Sequence, residues 1–365
     1  MSNKHITIKE LNNEQSYDTL YPNTSATQVP LSDTTSQLFG QTGLNTDAAL
    51  YKIIEKLRTD KKITVRVTDS NGNPVQGAKI NGLLNSPTTS ANGIVTGVFV
   101  SDPLTIVSPY VDIQDGTANG ANYVGTMNVL DVVLQAEADN TIFRYTSSTT
   151  VKFSQAVSTV DVCCVGGGGA GGSMAFDSNY TNLACGGGGG GGIVNATNIA
   201  VTPLIDNSLI VGSGGNYKDG GYTGGNGGTS SFLNIVANGG FGGIGKIGGN
   251  GNLAGGNSGA VGCGNGGNGE QNGDNSTVSE FNDNATYYSG GGGGGSASQS
   301  GSAKTGGSPN GANGARFTLD ATNAKGPGGG GGGAFGYRPG TGSTGYSAKG
   351  SSGAPGLVAI RIHLK

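Results

Sequence analysis

The first regular pattern along the chain is helical. Leu50, Ile53, Ile54 and Leu57 recur at i, i+3, i+4 and i+7, the spacing of one helix face. Thr46 can cap the start, and Asp47 suits a first turn where the helix dipole favours negative charge. The spacing predicts a helix over 46–60. A stripe of about two turns is marginal alone in water, and no neighbouring helix in the sequence covers it. It therefore points to self-association as a short three-stranded bundle, with packing inside the chain as the alternative. From residue 61 the period changes to two. Ile63, Val65 and Val67 alternate with Thr64, Arg66 and Thr68, as in a strand with one buried face. Asp69-Ser70-Asn71-Gly72 and Asn92-Gly93 are hairpin-turn signals. Val129, Leu130, Val132, Val133 and Leu134 supply a last strand, so 61–138 reads as a small β-domain.

Strand-like segments reappear on both sides of the long stretch that follows. Val151–Phe153 and Val160–Val165 lie before it. Leu357–Leu364 closes the chain, with Val358, Ile360, Ile362 and Leu364 on one face. Strands at both ends of a long insertion predict that they pair and clamp it into one folded unit over 139–365. The interior of that unit is dominated by glycine. Of the 74 glycines, 64 lie from Gly166 onward, with runs at Gly166–Gly169, Gly186–Gly192, Gly290–Gly295 and Gly328–Gly333. Glycine loses more conformational freedom on ordering than any other residue, so such runs default to flexible linkers. Ile193, Val194, Ile199, Val201, Leu204, Ile210, Phe232 and Ile235 are spread among them, and a linker has no use for these. Order then requires a conformation that lets bare backbones approach laterally. The polyproline-II helix does so, at about 3.1 Å and a third of a turn per residue, so a six-residue run spans about 19 Å. No strict G-X-Y period is present and prolines number only 11, which excludes collagen.

Charged residues make up 12% of the chain and the net charge is −3, so there is no electrostatic footprint for nucleic acid. The start of the chain carries no apolar stretch of signal-peptide length, and no apolar run reaches the length of a membrane span. These features predict synthesis in a reducing cytoplasm and no membrane insertion. Cys163 and Cys164 fall on a strand, while Cys185 and Cys263 fall in loops. No C-x-x-C or paired histidine accompanies them, so the expectation is two buried thiols, two loop thiols and no metal site. His5 and His363 are the only histidines, leaving no base for a serine or cysteine relay. The loop at Gly166–Ser173 lacks the lysine of a phosphate-binding loop. The chain reads as a non-enzyme with no cofactor.

Two stretches carry resemblances. The run VRVTDSNGNPVQGAKI, followed by SANGIVTGVF, resembles the prealbumin-like or carboxypeptidase-regulatory β-sandwich, which implies a spacer over 61–138. The strand entering glycines in VDVCCVGGGGAGG, the alternation of glycine runs with apolar strands, and the closing GAPGLVAIRI are similar to the glycine-rich C-terminal domain of bacteriophage tail fibres and adhesins. YPNTSATQVPLSDTTSQLFG and GLNTDAALYKIIEKL resemble the anchoring region of tail-fibre and baseplate proteins. The resemblance implies a homotrimeric virion fibre. Residues 1–60 would attach to a tail or baseplate protein and trimerise through Leu50, Ile53, Ile54 and Leu57. Residues 139–365 would dock on a bacterial surface glycan or outer protein.

Within that unit the segments between glycine runs emerge as loops, and several carry aromatics. Tyr217, Tyr222, Tyr287, Tyr288, Phe335, Tyr337, Arg338 and Tyr346 are the candidate receptor contacts, because tyrosine and arginine on a rigid frame give contact area at low entropic cost. The competing reading for each ring is cover for the glycine lattice, which has no side-chain core of its own. A purely structural fibre or capsid-decoration protein is the alternative function.

Overall fold

The computed structural model describes residues 61–175, 182–247, 251–252, 257, 263–282, 302–337 and 345–365. The helix expected over 46–60, with Leu50, Ile53, Ile54 and Leu57, lies outside these residues, as does the attachment region before it. The described residues are mainly β and include no α-helix; single 3₁₀ turns occur at Ala121–Tyr123 and Glu280–Asn282. The chain divides into two compact units. Among the described residues, one holds 61–68, 74–106 and 117–132; the other holds 69–73, 107–116 and those from 133 onward.

The first unit is built on β1 (Lys62–Asp69), β2 (Lys79–Asn81), β3 (Ile94–Val98), β4 (Leu104–Val107), β5 (Gly116–Ala118) and β6 (Val129–Leu134). They form two three-stranded sheets, ordered β3-β1-β6 and β2-β4-β5. The period-two pattern decides which face is inside. Ile63, Val65 and Val67 of β1 are buried together with Ile80, Leu104, Ile106, Leu130 and Val132. The opposite face is mixed, with Ile94, Val129 and Val133 exposed on it; there Thr64 bonds Thr96 across β1 and β3, and the Arg66 guanidinium grips both Asp131 oxygens at 2.6 and 2.9 Å. That pair is solvent-exposed, so its contribution to stability is small.

The second unit contains β7 (Ile142–Tyr145), β8 (Thr149–Val151), β9 (Val157–Val165), β10 (Met174–Ala175), β11 (Asn182–Ala184), β12 (Ile193–Ala200), β13 (Asn207–Ile210), β14 (Ser230–Phe232), β15 (Ile235–Ala237), β16 (Lys246–Ile247), β17 (Gly251–Asn252), β18 (Phe335–Tyr337), β19 (Tyr346–Ala348) and β20 (Leu357–Leu364). Its base is a pair of four-stranded sheets, β12-β9-β20-β7 and β15-β14-β13-β8. Strands β9 and β20, nearly 200 residues apart in sequence, pair antiparallel along their whole length, from Val165 opposite Leu357 to Val157 opposite Leu364. Val160, Val162, Cys164, Val358, Ile360 and Ile362 from one sheet meet Val151, Leu209, Phe232 and Ala237 from the other in one core. The far face of β9 and β20 is covered by residues 263–282, through Cys263, Val278 and Phe281. Arg361 lies over the Phe281 ring at 4.4 Å, and Arg144 donates to the buried Glu280 carboxylate at 3.2 Å.

Glycine segments extend directly from the strands of this base. β9 runs into 166–173, β13 into 212–216 and β15 into 238–244. Residues 185–192 lead into β12, 222–228 lead into β14 and 351–356 lead into β20. Their backbone hydrogen bonds repeat every third residue. From Gly166, Gly169 and Gly172 the N–H groups donate to Gly192, Gly189 and Gly186. Those of Gly167 and Ala170 donate to Gly228 and Gly225, and those of Gly168 and Gly171 to Ala354 and Ser351. The same segment accepts at Gly167 and Ala170 from Gly240 and Gly243, at Gly169 and Gly172 from Gly331 and Ala334, and at Gly168 from Gly215. Segment 166–172 is thus surrounded by six others, three as acceptors and three as donors. A backbone with three residues per turn aims its polar groups in three directions, so this packing satisfies them without strand pairing.

At many glycines of the rods the spacing admits no side chain. A Cβ on Gly168, Gly171, Gly188 or Gly191 would stand 1.9 to 2.1 Å from a carbonyl oxygen of an adjacent segment. Glycine is required at these positions for lateral room, not for a left-handed backbone angle.

All four cysteines are free thiols and all are buried; Cys185 and Cys263 lie outside the strands, as expected, but their thiols are enclosed rather than exposed in loops. Cys185 begins a glycine rod and packs with Met174, Leu183 and Ala334, while Cys263 packs under the base sheet. Burial pushes the Cys163 thiol well up, and Cys164 up to about 12.

Two outcomes follow from this packing. Gly188→Ala drives a methyl into the carbonyl of Gly169, so denaturant unfolding should show a loss of about 3 kcal/mol or more, the upper end of overpacking costs. Ala170→Gly, which removes a methyl already housed in the same bundle, should cost about 1 kcal/mol. A Gly188→Ala protein as stable as the parent would refute the lattice spacing. The second outcome concerns alkali. An unfolded thiol ionises near pH 9 whereas Cys164 holds its proton to about 12, so the folded chain binds more protons in that window and stability falls as pH rises through it. The slope is about 1.4 kcal/mol per pH unit per buried thiol, and a Cys163→Ala/Cys164→Ala chain should show a flatter decline between these limits in denaturation curves.

Candidate functional site

The rods carry the chain from the base to an opposite end about 22 Å away, for seven residues at ~3.1 Å each. The far ends are fixed by the same hydrogen bonds: Ser173 donates to the Tyr222 carbonyl, Gly186 to Ile244, Cys185 to Ala334 and Gly171 to Ser351. Segments leaving the rods here form two small sheets, β17-β11-β18-β19 and β10-β16. The chain enters the second unit at the base, where Val111 donates to the Lys152 carbonyl and Asn140 to that of Ile362. The tip is therefore the end of the rods remote from the entry point.

The described members of the candidate aromatic set all belong to this tip. Tyr337 and Tyr346 face one another in register across β18 and β19. Tyr346 is 43% exposed and its ring lies 4.7 Å from that of Phe317. Tyr222 is 48% exposed, with Lys218 Nζ 4.3 Å from its ring centre. Tyr217 is half-buried; its N–H donates to Ser352 Oγ and its hydroxyl to Asp219 Oδ1 at 3.4 Å. Burial pushes the Tyr217 phenol well up, so it stays a hydrogen-bond donor. Phe335 is fully buried with Ala315 and Ala348. Its ring is lattice cover and cannot reach a partner from this fold. Tyr287, Tyr288 and Arg338 lie outside the described residues.

Sequence reasoning passed over several side chains of the same end. Lys218, Asp219, Lys349 and Phe317 are polar or isolated positions in turn-rich sequence, and no local period distinguishes them. Met174 is buried against Gly336, where a Cβ would stand 1.8 Å from its sulfur. The glycine in Phe335-Gly336-Tyr337 was a signal of close approach, but not of what approaches.

The turn that carries Asp219 is held from below. Ser173 Oγ accepts from the N–H groups of Gly221 and Tyr222 at 3.1 and 2.8 Å. Gly220 and Gly221 have φ of +103° and +90°, angles that side chains rarely adopt. His363 lies on β20 at the base, with Nε2 3.1 Å from Asp161. There Asp161 also accepts from Arg361 and the Asn198 backbone, bracing β9, β12 and β20. Among the described residues no three His, Cys, Asp or Glu side chains gather in a way that would hold a metal ion. What the tip offers is a rigid surface with exposed tyrosines and mixed charge, an arrangement suited to binding.

Comparison with curated proteins gives no match. The glycine-rich domain family profile matches residues 144–363, more than half of the chain, from within β7 to within β20. The strands of the base, the rods and the tip are thus parts of one family unit, and the chain belongs to the glycine-rich domain family.

Proposed function

We propose that this chain is a virion tail-fibre protein that attaches the particle to a bacterial surface, with the tip of the glycine-rich unit as the contact. In this reading residues 1–45 attach to a tail or baseplate protein, 46–60 trimerise, and the first unit is a prealbumin-like spacer. The rods are polyproline-II-type helices clamped by β9 and β20. The observation that carries it is one of placement. The exposed aromatics Tyr222 and Tyr346, with Tyr217 and Tyr337 beside them, stand at the end of the rods farthest from where the chain enters. A frame of hydrogen-bonded backbone orders that end before any partner arrives, so little entropy remains to be lost on binding. Three copies would raise a weak single-site affinity through avidity.

Purified chain should compete with virions for adsorption to permissive cells, and a Tyr222→Ala/Tyr346→Ala chain should compete about tenfold less well. Failure of the parent chain to block adsorption to any permissive strain would favour a purely structural fibre. Light scattering at micromolar concentration should give three chains per particle; a monomer would remove the trimer from this reading.

A further inference from the structure

The tip contains a pocket of about 420 Å³ lined by one acid and one base. Its floor is apolar, formed by the buried Met174 and Ala348. Asp219 and Lys349 line the same pocket, yet they form no ion pair with each other. The hydrogen bonds to Asp219 from the Tyr217 hydroxyl and the Gly220 N–H both fall on Oδ1, and Oδ2 has no partner among the described residues. Lys218, the adjacent cation, is turned over the Tyr222 ring. Lys349 is fixed through its backbone, whose N–H donates to Asp320 Oδ1 at 2.7 Å and whose carbonyl accepts from Ala321. Its ammonium has no ionic partner among the described residues.

We infer that this pocket takes a zwitterionic group, an ammonium and a phosphate joined by a short apolar link, for which phosphoethanolamine is the simplest case. The ammonium would sit on Asp219 Oδ2 and the phosphate on Lys349 Nζ, as charge-assisted hydrogen bonds, with the linking methylenes over Met174 and Ala348. A lone anion meets Asp219 as a repulsive neighbour and a lone cation meets Lys349. A neutral sugar leaves both charges without partners. The pocket is open to solvent and screened, so the affinity expected for one group is millimolar, raised by multivalency on a surface. The setting rests on the adsorption reading above; the chemistry of the pocket does not.

The sequence has three methionines, so methyl-labelled methionine gives a direct readout on the full chain. Met174 reports on the pocket and the fully exposed Met127 is the internal control. Titration with O-phosphoethanolamine should shift the Met174 methyl saturably and leave Met127 unmoved. Inorganic phosphate alone and ethanolamine alone should each bind about tenfold more weakly, and Asp219→Asn and Lys349→Gln should each weaken the probe about tenfold. Equal binding of phosphate alone, indifference to Asp219→Asn, or no saturable shift at tens of millimolar would each overturn the inference. Co-sedimentation with phosphatidylethanolamine but not phosphatidylglycerol vesicles would assign the group to a lipid. Sedimentation with neither, alongside a Met174 shift, would assign it to a soluble or glycan-borne form. Blocked adsorption without a Met174 shift removes the pocket and spares the adsorption reading; the reverse result does the opposite.

Discussion

The space where a Cβ would stand in the rods is filled by a neighbour's carbonyl oxygen, and the second unit is arranged around that fact. Rods this close leave no interior for side chains, so the lattice cannot stabilise itself by hydrophobic burial. Its favourable term is the backbone hydrogen bond, about 1 kcal/mol net for each N–H satisfied. The opposing term is the ordering of a glycine backbone, about 1–2 kcal/mol per residue or somewhat more. The two are of similar size and leave no margin, so the surplus must come from elsewhere. It comes from the base, where Phe153, Phe232, Leu209, Ile360 and Ile362 are fully buried between two sheets at about 1.5–3 kcal/mol for each large side chain. Smaller apolar clusters around Met174 and Phe335 secure the other end. The lattice is a span held at both ends by ordinary cores.

That division explains the topology. Each base strand that abuts a glycine rod fixes that rod's position and direction, because strand and rod are one continuous chain. The β9–β20 pair fixes the first and last of them together, joining residues nearly 200 positions apart. Contacts so distant in sequence make folding depend on late, non-local pairing. Rod 166–172 has no apolar side chain larger than Ala170, so its order depends on the neighbours that satisfy its backbone.

How much of this was legible in the sequence follows from the same physics. The bracket of Val160–Val165 and Leu357–Leu364 could be read because both strands carry apolar residues whose period survives translation into structure. The alternation in Ile63, Val65 and Val67 was legible for the same reason. Burial of Cys185 was not, because a cysteine beside seven glycines looks like loop until the neighbouring rods are in place. Phe335 was misjudged in the same way: its flanks are polar and turn-rich, but its ring fills the gap over Ala315 and Ala348. The pocket charges were hidden most completely. Asp219 and Lys349 are 130 residues apart, and only the rod register brings them to one cavity.

The same constraint sorts positions by what they can tolerate. A rod residue such as Gly188 has no room for any side chain, and a base residue such as Ile360 accepts only another apolar group of similar volume. At the tip, exposed side chains such as Lys218, Tyr222 and Tyr346 project from backbone that is already fixed by Ser173 and the β18–β19 pairing. Changing them alters neither the lattice bonds nor the base core. A protein built this way sets its largest core about 22 Å from the exposed side chains of the tip, seven residues at ~3.1 Å each. The inner rod 166–172 holds the tip in place but presents no recognition chemistry of its own, so variation in what the tip binds is written in the segments that join one rod to the next.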